Sequence, residues 1–108
     1  MEIGEVIKMF IKNRKMSQID VAKAIGKSPT ALSQIINGVY NPQTETLEAL
    51  SKVLNVPVPV FHFLSIDEDS VPPENRQLFK ALAPSMERYM LDVFNTSPED
   101  LEVLKKAH

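Results

Sequence analysis

Two histidines, His62 and His108, and no cysteine are all that this 108-residue chain offers for imidazole or thiolate chemistry. The two histidines share no ligand spacing, so no metal site, disulfide framework or thiol nucleophile is expected. Carboxylates are plentiful, yet none stands with a partner base, a nucleophile or a glycine-rich phosphate loop. No catalytic residue and no cofactor are therefore assigned, and the chain is not read as an enzyme. The informative segment is Gln18 to Ile35, QIDVAKAIGKSPTALSQI, which has the residue types that two short helices crossing steeply through a tight turn require. Ala22 is small where the helices approach, Gly26 can take a positive φ, and Val21, Ile25, Leu32 and Ile35 supply a shared core.

The elements around this segment follow from periodicity and from start and stop signals. Ile3, Val6, Ile7, Phe10 and Ile11 recur at helical spacing and predict an amphipathic helix over about Ile3 to Lys12. A second helix starts after Ser17, whose hydroxyl can accept from the Asp20 amide in a capping box with Asp20 reaching back, and it ends at Gly26. Ser28-Pro29 opens a third, to about Ile36, closed by Asn37-Gly38. A fourth, capped by Thr44 or Gln43, runs to about Leu54, and Pro59 to Leu64 suffice for a short fifth. Period-two alternation occurs only over Val56 to Val60, where prolines intervene, so the fold is expected to be all-α.

Residues 1–64 thus form one five-helix unit, residues 65–73 (SIDEDSVPP) an acidic, proline-ended linker, and residues 74–108 a helical tail. In the tail, Leu78, Phe79, Leu82, Met86, Tyr89, Met90, Val93 and Phe94 share one side of a helix. That stripe can pack back on the five-helix unit, form a dimer interface, or do both, since some 35 residues are too few to make a core alone. Pro84 lacks an amide and clashes with the carbonyl of Lys80, predicting a break near Ala83. Ser97-Pro98 signals a last short helix to about Ala107.

At 44% hydrophobic and 24% charged residues the chain fits one small domain with an appendage. Its longest apolar run, Val56 to Leu64, is broken by Pro57, Pro59 and His62, and residues 1–16 hold no uninterrupted apolar stretch. Neither a membrane span nor a signal peptide is expected, and the cytoplasm is the expected location. The net charge of −2 conceals an asymmetry: residues 1–64 carry +2 and residues 65–108 carry −4. A polyanion would meet the first half. His62, between Phe61 and Phe63, is read as a partly buried packing residue.

Taken together, Met16-Ser17-Gln18, Ala22, Ile25-Gly26, Leu32-Ser33-Gln34-Ile35, Asn37-Gly38, Asn41-Pro42, Thr46-Leu47 and Leu54-Asn55-Val56 resemble the pattern of the XRE-type helix-turn-helix regulators, the phage repressor and Cro family. The resemblance covers residues 3 to 64. It implies a five-helix lambda-repressor-like domain whose third helix enters the major groove of double-stranded DNA, bound by a homodimer that regulates transcription as a repressor. It further places Pro29, Thr30, Ser33 and Gln34 against base edges. The Gln34 amide suits a two-point bond to adenine, and the Thr30 methyl a contact with thymine. By the same resemblance, Gln18 is a phosphate clamp and Asn37, Tyr40 and Asn41 with Thr44 form a second, while Lys27, Lys12 and Lys23 add charge.

The chain departs from the family pattern in three places. Pro29 offers only apolar contact where relatives can hydrogen-bond. Ile11 and Ile36 stand where many relatives pair an arginine with a glutamate, and contact between these isoleucines is expected instead. Val39 and Tyr40 replace basic residues after Gly38, which lowers the salt dependence expected of DNA binding. Two rival functions fit the same sequence. One is an antitoxin-type DNA-binding protein whose acidic tail binds a protein partner; the other is a small-molecule sensor with a pocket around Phe79, Met86, Tyr89 and Met90.

Overall fold

In the structure, a computed structural model that describes residues 1–95, six α-helices follow one another: α1 (Ile3–Asn13), α2 (Gln18–Ala24), α3 (Pro29–Ile36), α4 (Thr44–Leu54), α5 (Val58–Leu64) and α6 (Arg76–Asn95). No strand occurs among the described residues. The first five helices close around Val6, Ile7, Phe10, Val21, Leu32, Leu50, Leu54, Val56, Phe61 and Leu64, all but inaccessible to solvent. Phe10 and Phe61 meet edge to face at the centre, ring centroids 5.9 Å apart, a geometry that the aromatic quadrupole favours.

Four of these helices end in the same way, which keeps their connections short. After α2, Gly26 takes φ +74 and the amides of Gly26 and Lys27 donate back to the carbonyls of Lys23 and Ala22. After α3, Gly38 takes φ +79 and the amides of Gly38 and Val39 donate to Ile35 and Gln34. Both are Schellman turns, which satisfy carbonyls that a helix end otherwise leaves unpaired. The ends of α1 and α4 use left-handed residues that are not glycine, Lys15 and Asn55, both at φ 56. The amide of Met16 then reaches Ile11 and that of Val56 reaches Ser51.

A different constraint operates at Gly4, buried on the inner face of α1. A Cβ built there would lie 2.4 Å from the carbonyl oxygen of Ile36 and 2.5 Å from that of Ile35. The bare glycine therefore lets α1 rest directly on the carbonyl end of α3. Ile11 and Ile36 are both buried in the single core cluster, in keeping with an apolar substitute for the charged pair.

Two expectations need correction. The helix does not break at Pro84: α6 runs from Arg76 to Asn95 with the proline inside it. Pro84 and Lys80 are both exposed, so water can serve the one carbonyl that loses its donor, and the helix continues. The segment 65–73 that joins α5 to the tail holds a 3-10 turn, Glu68–Ser70, and a second, Pro73–Asn75, begins at its end. Asp67 caps the first, its carboxylate accepting from the Ser70 amide and hydroxyl at 3.1 Å. His62 is exposed rather than partly buried, because α5 turns Val60, Phe61 and Leu64 inward and leaves 62 outside. The final helix from Ser97 lies outside the described residues.

The tail stripe divides. Met90, Phe94 and the neighbouring Leu91 pack against the core of the five-helix unit, and Phe79 is half-buried. Leu78, Leu82, Met86, Tyr89 and Val93 remain exposed. The apolar cleft beneath α6, about 220 Å³, is lined by Phe63, Ile66, Val71, Phe79, Ala83, Met86 and Glu87. It includes neither Tyr89 nor Met90, so the pocket expected from the stripe does not form as drawn.

Replacing Gly4 by alanine should raise helix propensity by about 1 kcal/mol yet destabilise the protein by about 1–3 kcal/mol, as overpacking against backbone does. A urea midpoint equal to or above that of the wild type would refute the contact. Lys15→Gly should act in the opposite sense, adding about 0.5–1 kcal/mol by relieving the left-handed conformation.

Candidate nucleic-acid interface

The α2–turn–α3 unit is built by its caps. The Ser17 hydroxyl accepts from the Asp20 amide at 3.0 Å and the Ser28 hydroxyl from the Ala31 amide at 3.1 Å, so each helix begins on a side-chain cap. Of the predicted capping box at Ser17, this is the half that forms. Pro29 then occupies the first helical position, where its missing amide costs nothing. Val21, Ala22, Leu32, Ile35 and Ile36 bury the shared face.

With that face committed, the opposite side of α3 is forced outward. At about 100° per residue, Pro29, Ser33, Asn37, Thr30 and Gln34 fall on an arc of about 140° opposite the buried residues. Pro29, Thr30 and Asn37 are exposed and Ser33 and Gln34 half-exposed. The four base-reading candidates thus share one outward face, together with one of the phosphate candidates.

The remaining candidates group less uniformly. An open groove of about 370 Å³ runs between α3 and the loop to α4, lined by Lys27, Ala31, Gln34, Ile35, Tyr40, Asn41, Gln43 and Thr46. It joins Gln34 to Lys27, Tyr40 and Asn41. Gln43, not singled out from the sequence except as a cap, also lines it. Gln18 stands apart, half-buried at the first position of α2. Asn37 is turned back, its amide donating to the Ser33 hydroxyl at 3.3 Å, which steadies Ser33 and leaves the hydroxyl proton available.

Helix α4 differs from α2 and α3. Its N-cap residue is Gln43, whose side chain makes no capping bond, and Thr44 is the first helical residue. The leading amides of α4 therefore lack the hydroxyl partner that the other two helices have, and they open beside the groove, where an anion would satisfy them. Among the described residues, no hydrogen bond or ion pair occupies the side chains of Gln18, Lys27, Thr30, Gln34 or Asn41. Apart from Ser33 and Asn37, which bond to each other, these outward-facing side chains are thus uncommitted within the chain, whereas the hydroxyls at the starts of α2 and α3 are used internally.

Among the described residues no cluster of His, Cys, Asp or Glu is placed to hold a metal ion, and no helix is long and apolar enough to cross a membrane.

The sequence model of the family described as "Helix-turn-helix" matches residues 7–61, which run from within α1 into α5. The "HTH-type transcriptional regulator DicA" of Escherichia coli (strain K12) is 37% identical over 97 residues, 90% of this chain and 70% of that protein, so the likeness extends into α6. The "ImmF control region 10 kDa protein" of Bacillus phage phi105 is 37% identical over 65 residues, 60% of this chain and 72% of that protein. The "Immunity repressor protein" of the same phage is 36% identical over 58 residues, 54% of this chain and 40% of that protein. No solved structure matches the chain. The caps and the glycine turn that set α3 across α2 are the steric basis of the matched motif, and the chain belongs to the XRE-type helix-turn-helix family.

Proposed function

We propose that this protein is a sequence-specific DNA-binding transcriptional regulator that acts in the cytoplasm as a two-fold dimer, laying α3 of each copy in successive major grooves about 34–36 Å apart. The observation that carries the reading is the outward face of α3, with Thr30 and Gln34 uncommitted, the Ser33 hydroxyl proton available and the buried face fixed by the core. Gln34 reads an adenine through its amide, Thr30 and Ser33 supply hydroxyls, and Pro29 and the Thr30 methyl supply apolar contact. Gln18, Asn37, Tyr40, Asn41, Thr44 and Lys27 hold the phosphates on either side and so set the register of α3. A dimer seated on an operator obstructs polymerase, which makes repression the simplest outcome and agrees with the phage relative named as an immunity repressor.

The dimer contact is assigned to α6. Leu78, Leu82, Met86, Tyr89 and Val93 are 60%, 48%, 44%, 65% and 47% exposed and fall within about 80° of the helix circumference. Their spacing is close to palindromic, so two antiparallel copies crossing near Met86 set Leu78 against Val93 and Leu82 against Tyr89. The stripe presents roughly 500 Å² per copy, and a pair reaches the roughly 1,000 Å² that a specific interface requires.

Selection of bound duplexes from a random library at moderate salt tests both parts. A two-fold symmetric site is expected, and absence of any enrichment would overturn the DNA reading. On the selected duplex Gln34→Ala should cost about 1–3 kcal/mol, with little change on random DNA; equal loss on both would remove its base-reading role. Leu82→Glu should halve the mass measured by light scattering while leaving the helical content of the chain intact, and an unchanged mass would place the interface elsewhere.

A further inference from the structure

We propose that Arg14 is a specificity-determining residue for operator spacing: it clasps α6 to the DNA-reading unit and so fixes the separation of the two α3 helices in the dimer. The proposal rests on the dimer reading above. Arg14 is the residue that follows α1, yet its side chain serves three helices. Its Nε donates to the Leu54 carbonyl at the end of α4, 2.8 Å away, and its Nη2 donates to the Phe94 carbonyl in the last turn of α6. Nη1 donates to Oδ1 of Asn13 at 3.0 Å, and the guanidinium carbon stands 5.5 Å from the centroid of the Phe10 ring.

The C-termini of α1 and α4 and a carbonyl of α6 therefore converge on one cation, and at the two helix ends unsatisfied carbonyls and helix dipoles both favour positive charge. Desolvation lowers the guanidinium pKa below its ordinary value, but arginine remains charged at neutral pH. A planar fork can address two carbonyls in different directions at once; an ammonium, a point charge, lacks that fixed geometry.

The other end of α6 is held in a similar manner. Arg76 Nε donates to the carbonyls of Glu68 and Val71, at 3.2 and 3.1 Å. Between these two points α6 spans the cleft over Phe63 and Ile66. The far end also packs on the core through Met90, Leu91 and Phe94, but apolar contact is non-directional. With Arg14 removed that end is left without its polar fixed point, so α6 can tilt about its Arg76 end and the angle between the apolar stripe and α3 is no longer set. Two copies would still pair, but the distance between their α3 helices would vary. A two-site binder gains avidity only when its geometry permits simultaneous engagement.

The test uses the full chain, with Arg14→Gln and Arg14→Lys, on the duplex selected above, on a single half-site, and on duplexes whose half-sites are moved apart or together by single base pairs. Hydrogen exchange of the α6 amides is followed in parallel. The wild type should prefer one spacing by about 10²-fold over its neighbours, the loss expected when the second site is out of reach. Arg14→Gln should keep half-site affinity within about twofold and lose most of that preference, while α6 amides exchange about tenfold faster and those of α1–α5 are unchanged. Arg14→Lys should behave like Arg14→Gln, and it is the variant to read if the glutamine chain does not fold.

Retained preference with unchanged exchange would overturn the proposal. So would an equal loss of half-site binding and of protection in α1–α5, which marks a residue needed only for the fold. Full restoration by lysine would overturn the fork geometry. A wild type without any spacing preference would overturn the dimer reading and the spacing role with it; accelerated α6 exchange in Arg14→Gln would then still identify the clasp, so the two failures are distinguishable.

Discussion

The seat of α1 on the carbonyl end of α3, with Gly4 against the oxygens of Ile35 and Ile36, is the contact on which the rest of the molecule depends. A short eight-residue helix has little stability of its own. Here it is gripped from below by the side chains of the core and at its end by the backbone of α1. Close approach at that end brings Ile35 and Ile36 into the cluster around Phe10 and leaves the outward arc of α3 without any packing duty. The residues facing outward are thereby free to vary with the target, while those facing inward are constrained by volume.

Repetition of one helix ending gives the unit its economy. Lys15, Gly26, Gly38 and Asn55 all reverse the chain through the left-handed region, so α1 through α5 are joined by three to seven residues and little chain is left to wander. The cost is uneven. Glycine takes this conformation freely, asparagine tolerates it, and lysine does so under strain of about 1 kcal/mol. The core must hold that strain in place, and the interlocking of α1 with α3, α4 and α5 does so.

Much of this was legible in the sequence because the signals are local. Ser17, Ser28-Pro29 and the glycines at 26 and 38 mark boundaries by chemistry that acts within four or five residues, and the observed α2 and α3 begin where those signals stand. What escaped was non-local. Gly4 reads as a weak point in a helix until the carbonyls of residues 35 and 36 are brought beside it. Arg14 reads as one more basic residue at a helix exit, since its partners lie 40 and 80 positions away. Pro84 reads as a break because the local rule weighs the lost hydrogen bond and not the solvent that can replace it. His62 reads as partly buried because its aromatic neighbours suggest a buried face that the short α5 does not share with it. The outward arc of α3 was legible as a set of residues, but the groove that joins Gln34 to Lys27, Tyr40, Asn41 and Gln43 exists only once the loop has folded back.

Both arginines that hold α6 address main-chain carbonyls: Arg14 those of Leu54 and Phe94, Arg76 those of Glu68 and Val71. A carbonyl is supplied by every residue type. These bonds therefore place no demand on side-chain identity at the four positions that receive them; what constrains Leu54 and Phe94 is packing on the core, and what constrains Glu68 is its ion pair with Lys80 of α6. Tails that diverge widely among relatives can consequently keep the same docking, and correlated substitution between the arginines and their acceptors would leave no trace of it.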